Sequence, residues 1–322
     1  MAKELWAFHF AARKVFLKFD AVLLIGFGGP EKPEDVLPFL EDVTHGKNIP
    51  PERLKLVAKQ YEKIGGASPY NRLTGEQAQA LEKLLRSRGI EIPVVMGFAH
   101  SHPTIAETLG ELTRQGKKKI FAIVMAPHRS PASYDKYITK VDEALKTLNP
   151  APQITYAPEW HTRPGFINAI AQNITAAFAQ LTTEEKARHR AELIFTTHSI
   201  PRVMAHKSPY SGQFEETCQH VMPKVEVPYY QTAYTSRSGR PEESWLEPDL
   251  GDFIERRTYE TLSACVVAPI GFLVDHVEVL YDIDILAQEK AKWKALHMVR
   301  AKTVGTHPSF IAMLASLIEE AI

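Results

Sequence analysis

Short, uninterrupted apolar segments recur along the chain and alternate with longer amphipathic ones. Unbroken hydrophobicity is typical of parallel strands that are covered on both faces. Five segments have this pattern, at residues 21–25, 93–98, 119–126, 192–197 and 264–269. Helical periodicity is clearest at residues 74–85, where Thr74 would cap the first turn, and at residues 163–181. The pattern therefore predicts an α/β fold in which strands and helices alternate.

The same plan occurs in both halves of the chain, which predicts two doubly wound, Rossmann-like domains. We expect the first domain at residues 19–160 and the second at residues 161–307, with a last helix at residues 308–322 that packs back on the first domain. Residues 1–18 form an extension without an assigned role. Their apolar part is too short to span a bilayer, so we expect no transmembrane segment.

The amino-acid composition limits the kinds of molecule that we expect the protein to bind. The 322 residues contain 38 Lys and Arg and 38 Asp and Glu, so the formal net charge is zero. Without a basic excess we expect no nucleic-acid partner and favour a small molecule. The two cysteines, Cys218 and Cys265, are too few for a four-thiolate zinc or iron–sulfur site. We expect a reducing, cytoplasmic location.

Polar clusters follow the predicted strands. In an open parallel sheet, ligands bind beyond the carboxyl ends of the strands. Five such ends carry polar groups: residues 27–30 (Phe-Gly-Gly-Pro), 100–103 (His-Ser-His-Pro), 127–131 (Pro-His-Arg-Ser-Pro), 197–201 (Thr-His-Ser-Ile-Pro) and 275–278 (Asp-His-Val-Glu). We therefore expect them to face one cleft between the domains.

The densest cluster is at residues 274–284, which hold four carboxylates and one imidazole. Glu278 follows a strand and opens a helix, and His198 ends another strand between two hydroxyl residues. Paired across a cleft, they could accept protons from a weakly acidic nitrogen, hold a metal ion, or do both. Taken alone, His198 could equally be a histidine that caps a helix. Asp282 could belong to the same path one helical turn on, whereas we expect Asp284 on a solvated face.

Other chemistries fit less well. The sequence contains no Gly-x-Ser-x-Gly nucleophile motif, and the glycines after the first strand lack the third glycine of a dinucleotide loop, which is Glu31 here. His100 and His102, even with His128, have no further zinc ligand nearby in sequence. Tyrosine, tryptophan and phenylalanine near the strand ends suit a large flat ligand, although any one of them could be ordinary core.

Six motifs in order resemble the ferrochelatase family, and the resemblance covers residues 19–322. The motifs are residues 22–30 (Val-Leu-Leu-Ile-Gly-Phe-Gly-Gly-Pro), 61–69 (Tyr-Glu-Lys-Ile-Gly-Gly-Ala-Ser-Pro), 124–128 (Val-Met-Ala-Pro-His), 196–201 (Thr-Thr-His-Ser-Ile-Pro), 230–233 (Tyr-Gln-Thr-Ala) with 245–248 (Trp-Leu-Glu-Pro), and 269–284. The resemblance implies four-stranded sheets, a porphyrin cleft between the domains and a lyase-class enzyme that inserts ferrous iron into a porphyrin in haem biosynthesis.

The family's site residues carry over position by position. His198 and Glu278 match its metal and proton-handling pair, and Asp282 would extend the metal path. The matching porphyrin contacts are Phe27, Tyr61, Ser68, His100, Tyr137 and Trp245. Iron is then a substrate, and no tightly bound cofactor or iron–sulfur cluster is implied. The resemblance also allows transient contacts with neighbouring enzymes of the haem pathway.

The residues of these motifs most resemble those of the soluble bacterial branch of the family, which uses coproporphyrin III. Protoporphyrin IX is the alternative substrate. Three departures bear on this. Phe27 stands where some relatives have a tyrosine that ligates iron, Thr44 and Gln60 stand where some coproporphyrin users have arginine, and Leu286 replaces a glutamate of the metal path. A cobalt or nickel chelatase for another tetrapyrrole and a non-catalytic porphyrin-binding protein remain as further hypotheses.

Overall fold

The computed structural model describes residues 18–46, 49–186, 191–238, 242–256 and 262–322, and within them eight strands form two parallel four-stranded sheets. The first sheet has the order β2-β1-β3-β4, and the second has the order β6-β5-β7-β8. The strands are β1 Ala21–Gly26, β2 Val94–Phe98, β3 Lys119–Val124, β4 Gln153–Tyr156, β5 Ala191–His198, β6 Tyr230–Thr235, β7 Ala264–Ala268 and β8 His297–Arg300. The predicted α/β class with two parallel sheets is confirmed, while the predicted extension lies, except for Lys18, outside the described residues.

Helices connect the strands and cover the sheets. The helices of the first half are α1 Val36–Val43, α2 Pro51–Lys63, α3 Tyr70–Ser87, α4 Ile105–Arg114 and α5 Tyr134–Leu145. Those that follow are α6 Pro164–Phe178, α7 Thr183–Lys186, α8 Arg202–His206, α9 Tyr210–Val221, α10 Leu250–Glu255, α11 Val277–Leu280, α12 Gln288–Trp293 and α13 Pro308–Glu319. Short 3-10 turns lie at Pro33–Asp35 and Met222–Lys224, and Asp282–Ala287 is a π-helix.

Local sequence explains most of these elements. All residues of β1 and β7 are buried, as unbroken apolar strands in a covered parallel sheet require. Thr104 and Glu107 form a reciprocal capping box that begins α4. The expected cap at Thr74 is wrong, because α3 begins one turn earlier at Tyr70 and Thr74 is buried within it. Pro69 precedes that first turn, and the Ser68 hydroxyl accepts a hydrogen bond from the Tyr70 amide at 3.3 Å.

One hydrophobic cluster runs through both halves. It contains Phe121 of the first sheet, Phe195 of the second sheet, Phe166 of α6 and Phe310 of α13. The rings of Phe166 and Phe310 lie 5.9 Å apart. Helix α13 packs against both α3 and α6, so it joins the two halves. The domain boundary near residue 160 stays a prediction.

Candidate active site

His198 and Glu278 meet where two neighbouring strands of the second sheet end. His198 is the last residue of β5, and Glu278 lies in the first turn of α11, shortly after β7. The imidazole Nε2 is 3.2 Å from Oε1 of the carboxylate, and about a third of each side chain is exposed (29% and 32%). The pair is therefore both in contact and open to a ligand.

The imidazole of His198 is held by its own loop. Its Nδ1 donates to the backbone carbonyl of Ser199, which leaves Nε2 to face the carboxylate of Glu278. The hydroxyl of Tyr210 donates to the backbone carbonyl of His198 at 2.8 Å and lies 2.7 Å from the hydroxyl of Thr197. These bonds orient the ring before any substrate arrives.

Glu278 is held by a histidine that sequence analysis left without a role. The imidazole Nδ1 of His276 accepts a hydrogen bond from the Glu278 amide at 3.2 Å and thereby caps α11. Its ring packs edge-on against Phe272 at 4.8 Å and lies 5.9 Å from the ring of Tyr70. Burial lowers the pKa of His276, so the ring stays neutral, as an accepting Nδ1 requires.

The charges of the pair reinforce each other. Burial lowers the pKa of His198, but the charge and hydrogen bond of Glu278 outweigh it and raise that pKa above its ordinary value. Burial raises the pKa of Glu278, yet His198 opposes this and the net shift is downward. The pairing therefore favours the form in which the imidazole carries a proton and the carboxylate is ionised.

Four tyrosines, of which Tyr61, Tyr137 and Tyr210 are buried and Tyr70 is partly buried, lie within reach of the charge of Glu278. Burial is the main cause that raises the pKa of all four phenols, and the negative charge of Glu278 adds to it; the pKa of Tyr70 rises to about 12. All four phenols therefore stay neutral. Tyr61 and Tyr137 were expected near the porphyrin, whereas Tyr70 and Tyr210 were not identified from the sequence.

A repeated tripeptide could have identified these two tyrosines. Ser-Pro-Tyr occurs at residues 68–70 and again at residues 208–210, and each tyrosine begins a helix behind its proline. The hydroxyl of Tyr70 accepts from the amide of Phe27, just after β1, at 3.1 Å, and the hydroxyl of Tyr210 donates to the carbonyl of His198, at the end of β5. Each half thus holds the backbone at the end of the equivalent strand with a tyrosine hydroxyl, which accepts in the first half and donates in the second.

Asp282 lies beyond Glu278 on a different kind of helix. The α11 segment ends at Leu280, and Asp282 opens the π-helix, so the expected regular helical turn is interrupted. Its carboxylate accepts from the hydroxyl of Ser236, a non-glycine residue with φ of 64°. Burial raises the pKa of Asp282 to about 7, although the Ser236 hydrogen bond opposes the shift. Among the described residues no three His, Cys, Asp or Glu side chains form a group that could hold a metal ion. The role of Asp282 in a metal path stays a prediction.

Asp284 is partly solvated, but it is also held in an ion pair that the sequence did not indicate. Its Oδ1 accepts from Nε of Arg300 at 2.6 Å, and only 32% of its side chain is exposed. The arginine comes from the end of β8, far away in sequence, so local pattern could not reveal the pairing. Leu286, in contrast, is exposed.

The remaining predicted porphyrin contacts have protein partners. The buried ring of His100 packs 4.7 Å from that of Phe27, and its Nδ1 lies 2.5 Å from an oxygen of Asp42. Burial lowers the pKa of His100 to about 4. Trp245 is buried and donates from Nε1 to Glu243 at 3.0 Å, in a segment that pairs with the residues just after His198. Ser68 is buried beside the start of α3. Their contacts with porphyrin stay predictions.

The described helices set one limit on membrane association. None of them has the length and apolar character needed to cross a bilayer.

Comparison with known proteins gives consistent matches. The family model described as Ferrochelatase matches residues 19–322. A ferrochelatase of Rhodopirellula baltica is 37% identical, covering 94% of this chain and 86% of the relative. A coproporphyrin III ferrochelatase of Frankia alni is 38% identical, covering 94% and 79%. The structure of SirB from Bacillus subtilis with Fe3+ aligns with a TM-score of 0.55 over 93% of this chain and 94% of that one, but at 12% identity it supports only the fold.

Proposed function

Because this chain belongs to the ferrochelatase family, we propose that it inserts ferrous iron into coproporphyrin III and so forms iron coproporphyrin for haem synthesis. The observation that carries the proposal is the 3.2 Å contact between the imidazole of His198 and the carboxylate of Glu278. A base and an oxygen ligand at one point suit a reaction in which a metal ion replaces protons. The relatives that act on coproporphyrin III by name support the choice of porphyrin.

The reaction has a fixed proton balance. Fe2+ binds four pyrrole nitrogens and two of these lose a proton, so two protons leave for each iron that enters. The pair of His198 and Glu278 already holds one proton in its ion-paired form. Glu278 is therefore ready as an acceptor or as an iron ligand, whereas His198 accepts a porphyrin proton only after it has released its own. Either residue remains a candidate for first contact with iron.

Iron would approach along the carboxylates beyond the pair. Asp282, held by Ser236, is the next carboxyl group along the chain, and the exposed Leu286 offers no further ligand. Iron is a substrate in this scheme, and we propose no resident cofactor. Cys218 and Cys265 are both buried, on α9 and β7, which argues against a cluster held by these thiolates.

The porphyrin would lie against the aromatic residues near the ends of β1 and β5. We assign its contacts to Phe27, Tyr61, Ser68, His100, Tyr137 and Trp245. Phe27 has no oxygen with which to ligate iron, so the ring would be held there by stacking alone.

A second substrate, protoporphyrin IX, is favoured by one observation. At positions 44 and 60, where arginines would contact additional carboxylates, the chain has Thr44 and Gln60. The hydroxyl of Thr44 donates to the carbonyl of Leu40 at 2.6 Å, so it is engaged within its own helix. Neither side chain supplies a cation for a porphyrin carboxylate.

Competition between the two porphyrins in an anaerobic iron-insertion assay tests the proposal. We expect a higher kcat/KM for coproporphyrin III, and a clear preference for protoporphyrin IX would reverse the choice. His198→Ala should abolish insertion while porphyrin binding, followed by fluorescence quenching, persists. A protein that binds porphyrin but inserts no iron with its native sequence would be a binding protein, and turnover only with cobalt or nickel would identify a different chelatase.

We also propose a cytoplasmic location, with transient contacts to neighbouring enzymes of the haem pathway. The absence of a bilayer-crossing helix among the described residues is compatible with this location. Direct transfer of a reactive porphyrin between enzymes would supply the reason for such contacts.

A further inference from the structure

Arg300, at the end of β8, is held between two carboxylates of the segment that carries Glu278. Its Nε donates to Asp284 at 2.6 Å, and its two terminal nitrogens donate to the two oxygens of Asp275 at 3.3 and 3.0 Å. The hydroxyl of Thr303 also donates to Asp275 at 2.9 Å. Only 17% of the arginine side chain is exposed. The cation is thus largely buried and paired on two sides.

The two carboxylates lie at the ends of the segment that carries the site. Asp275 directly precedes His276, whose ring caps the amide of Glu278. Asp284 lies within the π-helix, two residues after Asp282. One rigid guanidinium therefore fixes both ends of residues 275–284.

This segment has little regular structure of its own to keep its shape. Helix α11 has only four residues, and the π-helix that follows makes a wide-ring bond from the amide of Leu286 to the carbonyl of Tyr281 at 2.9 Å. Short helices and π-helical turns depend on tertiary contacts for stability. A planar fork that donates in two directions suits this role, and a lysine, with its compact charge, cannot reproduce it.

We propose that Arg300 is a positioning residue for metal insertion, which keeps Glu278 opposite His198 and Asp282 against Ser236. The inference rests on the proposed function and deepens it. Arg300 does not touch the reacting groups and acts only through the segment it clamps.

The test compares Arg300→Gln and Arg300→Lys with Arg88→Gln. Arg88 is a matched control because it pairs with both oxygens of Glu319 at 2.9 Å, between α3 and α13, outside the clamped segment. In Arg300→Gln we expect kcat for iron insertion to fall roughly ten- to a hundredfold and KM for iron to rise, as for other groups that orient metal ligands. The Kd for coproporphyrin III, from fluorescence quenching, should stay within about twofold, and Arg88→Gln should keep both values.

The activity of Arg300→Lys distinguishes a positioning role of the guanidinium from an effect of its positive charge alone. Arg300→Lys keeps the charge but loses the fork, so we expect it to regain only a minor part of kcat. If Arg300→Gln fails to fold, Asp284→Asn provides the test, since Arg300 keeps its two bonds to Asp275. That variant should bind porphyrin normally and insert iron several-fold more slowly.

Several results would overturn the inference. If folded Arg300→Gln, or folded Asp284→Asn, keeps the kcat and the KM for iron of the native protein, Arg300 has no positioning role. Parallel losses of porphyrin binding and kcat that match the unfolded fraction would show a purely structural residue. If the native protein inserts no metal, the proposed function is refuted and the role of Arg300 with it. If the native protein and Arg300→Gln are both fully active, only the role of Arg300 is refuted.

Discussion

At the scale of single residues, the site depends on where one proton resides. His198 and Glu278 shift each other's pKa in opposite directions, so their contact favours a proton on the imidazole, which burial alone would disfavour. A charged imidazole repels an incoming cation, whereas a neutral one can bind it. Under the proposed function, entry of iron and departure of a proton would therefore be coupled at this contact.

Removal of the carboxylate should reverse the shift. In Glu278→Gln the burial of His198 remains while the opposing charge is gone, so we expect its pKa to fall from above the ordinary 6.5 to below it. NMR titration of the imidazole proton, assigned with His198→Asn, measures this directly. Glu107→Gln removes a carboxylate that is 2.8 Å from another histidine, His102, and should leave His198 unchanged. An unaltered His198 titration in Glu278→Gln would contradict the assigned coupling.

Sequence could identify the pair but not its support. His198 ends an apolar strand and Glu278 follows another, and both side chains can take up a proton or bind a metal ion, so pattern and motif both indicate them. Asp284 is bound by Arg300, sixteen residues further along the chain, and Asp282 is bound by Ser236, forty-six residues earlier. Contacts across such distances along the chain depend on the register of strands, which local pattern does not contain.

At the scale of elements, the ends of β5 and β7 are packed so closely that only glycine fits between them. A Cβ added to Gly271, just after β7, would lie 1.9 Å from the hydroxyl oxygen of Thr197 and 3.1 Å from its Cα. Thr197 precedes His198 and its hydroxyl contacts Tyr210. The turn after β7 therefore constrains the position of His198, which ends β5.

A methyl group at this point should disturb both stability and rate. We expect Gly271→Ala to lower the free energy of unfolding by about 1–3 kcal/mol, because the core there is already full, and to slow iron insertion. Urea denaturation and initial rates measure the two effects. Gly110→Ala, in α4, is the control: nothing lies within 4 Å of the added Cβ, and alanine should stabilise the helix by about 0.5–1 kcal/mol. Unchanged stability and rate in Gly271→Ala would show that the turn can move.

The sequence was a good guide to strands and a poor guide to the helix that follows Glu278. Continuous apolar runs predicted five of the strands that the structure contains, because burial on both faces leaves a strong signal. The π-helix has no such signal, since its residues suit an ordinary α-helix equally well and the tertiary contacts of Asp282 and Asp284 fix its form.

At the scale of the whole molecule, neutral buried histidines lie at contacts between distant segments. His128 follows β3 and lies 3.1 Å from the hydroxyl of Thr217 in α9, which belongs to the second half. Burial, with a contribution from nearby His161, lowers the pKa of His128 to about 3, and burial lowers that of His100 to about 4. Both are far below the value of about 6.5 in an unfolded chain.

Stability should therefore fall in mild acid. The folded pKa is lower than the unfolded one, so the unfolded chain takes up protons first: the stabilisation is complete above about pH 6.5 and is lost as pH falls toward the folded values, by up to about 1.4 kcal/mol per pH unit for each histidine. His198, with its raised pKa, opposes part of this loss. In His128→Gln we expect the loss between pH 7 and pH 5 to be smaller by roughly 2 kcal/mol.

Urea denaturation at several pH values gives the measurement. His102→Gln is the control, because the side chain of His102 is 83% exposed, and it should keep the slope of the native protein. The same slope in His128→Gln would mean that His128 is not held neutral in the folded protein.

The hydrophobic cluster that both halves share with α13 bears on synthesis at the ribosome. Phe310 and its neighbours cover apolar side chains of α3 and α6, yet they are translated last among the described elements. At 5–20 residues per second, the interval between residue 160 and α13 lasts roughly 10–30 s. During that time the apolar side chains that α13 covers in the folded protein are exposed on the first half. We therefore expect the nascent chain to bind chaperones that recognise exposed apolar surfaces.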